Sequence, residues 1–306
     1  MAAHSYVLYH ANCLDGIGAA YAAWKKLGDD NATYIPVQYN KPIPLDTMEP
    51  NNDVYIVDFS YPAEELHKLA TVMNKVVVLD HHKTALPEIR TAHQLCVVND
   101  IFTFHYRYSE LESGAVIAWN YFHPEQEQEV PELLLHIQDR DLWKFKLPNT
   151  KEIIAGLTAN GLAKLTLARI ENLIENWNTG SYYMLLDMGD IINANFNARC
   201  KELAEKAYAC TLLGDYEGLA INTSMEYASE VGNLLAIKSG TYGAVWTYEG
   251  NGVCKVSLRS TGDYDVSTLA QKFGGGGHKN AAGFTVSGFV DITDVIMELR
   301  EANNER

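Results

Sequence analysis

Basic residues are scarce in this 306-residue chain: 24 Lys and Arg stand against 39 Asp and Glu, a formal net charge of −15. That balance excludes the broad counterion-releasing grip that a basic face exerts on duplex nucleic acid, and leaves small anions in a local pocket as the charged partners open to it. Cysteine is sparse and unpatterned. The five thiols, Cys13, Cys96, Cys200, Cys210 and Cys254, are odd in number and include no Cys-x-x-Cys pair, so neither a disulfide framework nor a zinc knuckle is indicated. Met1-Ala2-Ala3-His4-Ser5 has no basic flank leading into an apolar stretch, and no run approaches membrane-spanning length. The expectation is a cytoplasmic protein without a membrane partner. There is no repeat of about 20–50 residues and no low-complexity tract, which argues against solenoids and disordered arms.

What is present is a chain with 47% hydrophobic residues, enough for a sizeable core and long enough for two domains. Its first third alternates strand and helix signals: Tyr6 to Tyr9, Gly16 to Leu27, Thr33 to Val37, Val54 to Val57, a helix start at Pro62, then Val76 to Leu79. This is the βαβ rhythm of a parallel sheet. Ser113 to about Gly180 reads as mainly helical, and a long helical pattern from about Tyr182 to Ala209 is a candidate connector. Beyond Leu212 the pattern is β-rich: Leu219 to Asn222, Gly243 to Tyr248, a Glu249-Gly250-Asn251-Gly252 turn and Val253 to Leu258, flanked by helical runs near Ser229 to Ile237 and Val266 to Phe273. The fold class expected is α/β: an N-terminal parallel-sheet domain over 1–180, a helical connector over 181–210, and a smaller mixed α/β domain over 211–306.

Several strand ends carry polar clusters. Val76-Val77-Val78-Leu79 breaks directly into Asp80-His81-His82, and the carboxyl ends of parallel strands open onto the binding crevice of an α/β sheet. Alone, the triplet is equally at home in a surface loop. His10, Cys13 and Asp15 follow the first strand, with Gly16 and Gly18 permitting a tight turn, although a capping Asp in a plain loop would look the same. Asp58 closes the third strand, and Asp139-Arg140-Asp141 ends a helical run, where a local ion pair is the simpler reading. Carboxylate and imidazole together suit manganese, iron or zinc, and one bridging carboxylate can hold two ions. Near the C-terminus, Gly274-Gly275-Gly276-Gly277-His278-Lys279 follows a helix. Four glycines in a row suit a backbone that approaches a ligand or turns several N–H groups towards an anion; a flexible linker is the alternative. Upstream, Arg259 ends a strand with a guanidinium able to grip phosphate.

The set His10-x-x-Cys13-x-Asp15-Gly16, Asp58, Asp80-His81-His82, Asp139, Ser257-x-Arg259-Ser260 and Gly274 to His278 resembles the DHH phosphoesterase superfamily, in the branch with the DHH-associated C-terminal domain, which includes nanoRNases, bisphosphate nucleotide phosphatases and exopolyphosphatase-like proteins. The resemblance spans nearly the whole chain. It implies a manganese-dependent hydrolase in which a metal-bound hydroxide attacks a phosphoester of a short single-stranded oligonucleotide, nucleoside bisphosphate or cyclic dinucleotide. Polyphosphate or pyrophosphate is the alternative substrate class, and a nucleotide-binding protein without chemistry the alternative function. By resemblance, His10 and Asp58 hold a first metal, while Asp15, Asp58, His81 and Asp139 hold a second, with Asp58 bridging; Asp139 is preferred to Asp141 because Asp139-x-x-x-Trp143-x-Phe145 better matches the family's spacing from Asp to a following aromatic pair. Asp80 and His82 join Asp58 as catalytic residues, and His82 meets a phosphate oxygen or the leaving group. Arg259, Gly275, Gly276, Gly277 and His278 bind the substrate from the second domain. A homodimer is compatible with this pattern. One departure stands out: where the family has Asp-x-Asp, this chain has Cys13-Leu14-Asp15. Either the thiolate takes a softer metal, zinc or iron among them, or the first site is weakened.

Overall fold

Val54, Ile56, Val76 and Val78 face one apolar cluster, and Tyr55, Val57, Val77 and Leu79 face another. Only a strand buried on both faces places alternate side chains in two separate cores. The computed structural model describes residues 4–287 except 40, 125–128, 213–215 and 251, with the backbone alone at 163. In it, β1 (Ser5–His10), α1 (Leu14–Asn31), β2 (Ala32–Val37), β3 (Asp53–Val57), α2 (Ala63–Val72), β4 (Lys75–Asp80), α3 (Leu86–Val98) and β5 (Phe104–Tyr108) build a sheet of order β2-β1-β3-β4-β5. Every pairing in it is parallel. The helices α4 (Gly114–Phe122), α5 (Glu132–Asp141), α6 (Thr150–Thr158) and α7 (Leu167–Glu175) follow, and supply most of the cluster that also takes up α1. The other face is covered by α2 and α3.

In this strand order the chain leaves β1 towards β2 on one side and returns to β3 on the other. The reversal opens a crevice between the carboxyl ends of β1 and β3, the usual ligand position in such sheets. His10 is the last residue of β1, and Asp58 follows β3 directly.

The chain divides into two compact units, Met1–Asn193 and Ala194–Arg306, with the division inside α8 (Ser181–Glu205). The second unit contains β6 (Tyr208–Leu212), β7 (Tyr216–Asn222), α9 (Ala228–Ser239), β8 (Tyr242–Gly250), β9 (Val253–Ser260), α10 (Val266–Gln271), β10 (Gly276–His278) and β11 (Ala281–Ser287). Its sheet runs β10-β11-β9-β8-β7-β6, antiparallel except for β7 against β8. The expected hairpin is β8 paired with β9; Asn251 of its turn and residues 288–306 lie outside the described residues. The architecture is α/β, a parallel N-terminal sheet and a mixed C-terminal one. All five cysteines are free thiols, and no described helix is long and apolar enough to cross a membrane.

Candidate metal centre

The turn from β1 into α1 is so tight that a side chain on Gly16 would run into the His10 carbonyl. This closeness returns the first turn of α1 to the strand end and places Asp15 in the crevice, 1% exposed. Asp15 then crosses to the start of α4, where Oδ2 accepts the Gly114 N–H at 2.5 Å and Oδ1 the Ala115 N–H at 3.0 Å. Unsatisfied N–H groups and the positive end of the helix dipole favour a carboxylate at that position. Gly114 has no room for anything larger: a Cβ there would lie 2.5 Å from the Asp58 Cβ and 2.9 Å from Asp15 Oδ2.

Asp58 is fully buried and adopts a left-handed backbone, φ 54°. Strain of this kind persists only where the surroundings over-determine it; here the Asp58 N–H is tied to the Leu79 carbonyl at 2.9 Å. Its Oδ1 is 3.2 Å from His81 Nε2, and its Oδ2 is 3.7 Å from His10 Nδ1. Among the described residues, neither His10 Nδ1 nor Asp58 Oδ2 has a hydrogen-bond partner, although both are buried. Burial works to raise the Asp58 pKa, but the imidazoles of His10, His81 and His82 outweigh it and hold the carboxyl below the usual range.

Asp80 is spent differently. Its Oδ1 accepts the His81 N–H at 2.8 Å, the His82 N–H at 3.2 Å and His82 Nδ1 at 2.7 Å. The triplet is therefore a self-locked turn in which the carboxylate fixes the His82 ring and leaves Nε2 as its outward nitrogen. His81 turns its Nε2 towards three carboxylates, with Asp15 Oδ2 and Asp141 Oδ2 each at 3.5 Å beside Asp58. Burial works to lower the His81 pKa; the carboxylates overcome it and raise it to about 9. The converse holds for Asp15, whose pKa is pushed well up by burial and by the charges of Asp58 and Asp141.

The structure does not bring Asp139, the expected ligand, to this crevice. Its carboxylate accepts the N–H groups of Lys146 and Leu147 at 2.8 and 3.0 Å and the Thr150 hydroxyl at 2.7 Å, and it belongs to none of the ligand groupings. Asp141 takes the place beside Asp15 and His81. Two residues apart on α5, the carboxylates point about 200° from each other around the axis, so only one can face the crevice. Asp141→Asn should weaken manganese affinity about tenfold or more. Asp139→Asn should instead cost about 1–3 kcal/mol of stability by leaving buried donors unmet, with affinity kept within roughly threefold of the parent. Thermal melts with manganese titration check both, and the reverse pattern would make Asp139 the ligand.

The donor atoms fall into three groups, each with its atoms within 4.8 Å of one another: His10, Cys13 and Asp58; Asp15, His81 and Asp141; and Asp58, Asp80, His81 and His82. Cys13 stands at the N-cap position of α1 without a side-chain capping bond, and burial together with the Asp58 charge pushes its thiol pKa up. Residues that sequence reasoning missed include Gly114 and an aromatic wall. Tyr39 meets the His10 ring edge-to-face at 5.0 Å and stands tilted against the Phe59 ring at 4.6 Å. Phe59 could have been found, since it follows Asp58 immediately.

The second unit arranges its candidates on one sheet row. His278 pairs with Ala281, and Ala281 with Arg259, so the imidazole and guanidinium lie on one face two strands apart, with a methyl group between. Arg259 spends three of its five N–H donors on Ser257 Oγ, the Leu258 carbonyl and Ser229 Oγ. The glycine run, expected to turn several N–H groups towards an anion, spends the first two within the fold. The Gly274 and Gly275 N–H groups close the end of α10 on the Gln271 and Ala270 carbonyls, each at 3.0 Å. Gly276 and Gly277 instead form the edge strand β10. Their small size serves close packing, since a Cβ on Gly275 or Gly277 would meet β11 backbone or side-chain atoms.

A profile of the DHHA1 domain matches residues 218–306. The chain belongs to the DHH phosphoesterase superfamily, in the branch with the DHH-associated C-terminal domain. It is 32% identical over 304 residues to the uncharacterized protein R106 of Acanthamoeba polyphaga mimivirus, covering 92% of this chain and 67% of that one. It is 25% identical over 320 residues to the oligoribonuclease NrnB of Bacillus subtilis, covering 96% of this chain and 74% of that one. Among solved structures, exonuclease RecJ bound to manganese shares this DHH fold, with a TM-score of 0.52, 14% identity, and coverage of 98% of this chain and 89% of that one.

Proposed function

We propose that this DHH protein is a divalent-cation-dependent hydrolase that cleaves phosphoester bonds of small nucleotides, short single-stranded oligonucleotides first among them. The observation that carries this reading is the convergence of His10, Cys13, Asp15, Asp58, His81 and Asp141 on one crevice, where His10 Nδ1 and Asp58 Oδ2 are buried and unpaired. Unmet donors in a buried carboxylate cluster fit cations. His10, Cys13 and Asp58 would hold one ion and Asp15, Asp58, His81 and Asp141 the other. Oxygen and nitrogen donors suit manganese, the ion bound to exonuclease RecJ; the Cys13 sulfur adds affinity for zinc or iron at the first ion. When bound, such ions supply charge to the reacting phosphoryl oxygens and lower the pKa of water.

The chain's own residues do the rest. Asp80 holds His82 with Nε2 outward, placed to hydrogen-bond a phosphoryl oxygen and to hand a proton to the leaving oxygen. Burial works to lower the His82 pKa, and Asp80 raises it past its ordinary value, which favours the proton-carrying form. Arg259 and His278 give the second unit a phosphate-binding face. The likeness to NrnB favours oligoribonucleotides, and the net charge of −15 disfavours duplexes. The five free thiols suit a reducing cytoplasm.

The test is hydrolysis of diadenylate, a nucleoside 3′,5′-bisphosphate, a cyclic dinucleotide and polyphosphate, each with manganese, zinc or chelator. Diadenylate cleavage with manganese and its loss with chelator are the expected results. His82→Ala should lower turnover by about 10²–10⁴-fold, the usual worth of a positioned acid–base group. Phosphate release from polyphosphate with no cleavage of any nucleotide would overturn the reading.

A further inference from the structure

Directly after Asp141 the charge balance of the chain reverses. Residues 142–151 contain three lysines and no acid, and Arg140 precedes them, in a protein of net charge −15. Two aromatic residues stand among these cations. Trp143 and Phe145 both occupy the left-handed backbone region, φ 53° and 45°, where bulky side chains are outliers. Asp139 holds them there: its carbonyl accepts the Lys144 and Phe145 N–H groups at 2.9 and 3.3 Å, while its carboxylate takes those of Lys146 and Leu147.

The result is an indole left 54% exposed. Phe145 stands edge-to-face against it at 4.9 Å, and the Arg140 guanidinium lies 4.7 Å from its ring centroid. Hydrophobicity alone would bury these rings, and an unstrained backbone would suit the fold better. Exposed aromatic faces among cations are the chemistry that holds a base and its phosphate together.

We propose that Trp143 and Phe145 form a stacking platform for a nucleobase of the substrate, beside Asp141. This rests on the nucleotide reading and deepens it. Asp139 is then a positioning residue, the staple of the platform.

The test uses the full chain with manganese, titrated with AMP and with ribose 5-phosphate while tryptophan emission is followed. Of the five tryptophans, Trp143 is the exposed one. AMP should quench emission saturably and ribose 5-phosphate should not; Trp143→Ala should lose the AMP response. In steady-state assays Trp143→Ala should raise KM for diadenylate roughly ten- to hundredfold, the worth of one stacked base, with Trp143→Phe restoring most of it. Trp143→Gly separates binding from folding. Glycine relieves the left-handed strain, so its Tm should rise by about 2–4 °C while KM still climbs. Equal quenching by both ligands, or an unchanged KM in Trp143→Ala, overturns the platform. Diadenylate turnover without AMP quenching removes the platform and leaves the hydrolase; AMP quenching without turnover of any nucleotide does the reverse.

Discussion

Asp58→Asn should lower manganese-dependent cleavage of diadenylate by roughly 10³-fold or more, about 4 kcal/mol of barrier. Asp58 offers Oδ1 towards His81 and Oδ2 towards His10, so one substitution disables both halves of the centre. The amide keeps the shape and can still accept a hydrogen bond from His81, which favours a folded variant. A second readout separates chemistry from binding. With manganese at about 100 times its Kd, the parent should gain about 2.7 kcal/mol of stability, and the variant should gain less than half of that. Turnover within tenfold of the parent, or an undiminished melting shift, would remove Asp58 from the centre.

Gly114→Ala should be nearly as damaging, though the glycine carries no functional group. The added methyl would sit 2.5 Å from the Asp58 Cβ, 2.8 Å from its Oδ1 and 2.9 Å from Asp15 Oδ2. None of these atoms is the far end of a flexible chain, so helix and carboxylates must part. The expected costs are about 1–3 kcal/mol of stability for overpacking and about 10²-fold in turnover from displaced donors. Val98→Ala is the control: the side chain is 81% exposed, and its effect should stay within about 0.5 kcal/mol. Equal behaviour of the two variants in denaturation and activity assays would refute the argument from close approach.

The buried strands were legible because their apolar runs admit few other fates. Val76 to Leu79 is buried residue by residue, and a β-branched run of that kind seldom lies elsewhere. At the sheet edge, β5 reads Phe-His-Tyr-Arg-Tyr and leaves His105, Tyr106 and Arg107 exposed, so its sequence carries little burial signal. His10, Asp58 and His81 are marked in sequence by their places at strand ends and Asp15 by the turn into α1, and the structure brings all four to one crevice. The choice between Asp139 and Asp141 is not so marked, because it depends on how α5 is rotated about its axis, which tertiary packing sets. The glycine run is ambiguous in sequence for a related reason. Its composition announces closely approached backbone, but a strand and a phosphate leave similar marks, and here atoms of β11 lie against Gly275 and Gly277.

The spacing of the donors along the chain bears on biosynthesis. His10, Cys13 and Asp15 come early, Asp58 and His81 later, and Asp141 after a further 60 residues, 141 minus 81. Neighbouring donors in space are thus distant in time of synthesis. A nascent chain that has released only β1 to β4 from the ribosome has carboxylates and imidazoles but no α4 N-terminus to neutralise Asp15 and no Asp141 to complete its grouping. In the proposed centre, ion capture at full strength would wait until α5 has emerged and docked, so tight metal uptake would mark a first unit assembled at least through α5.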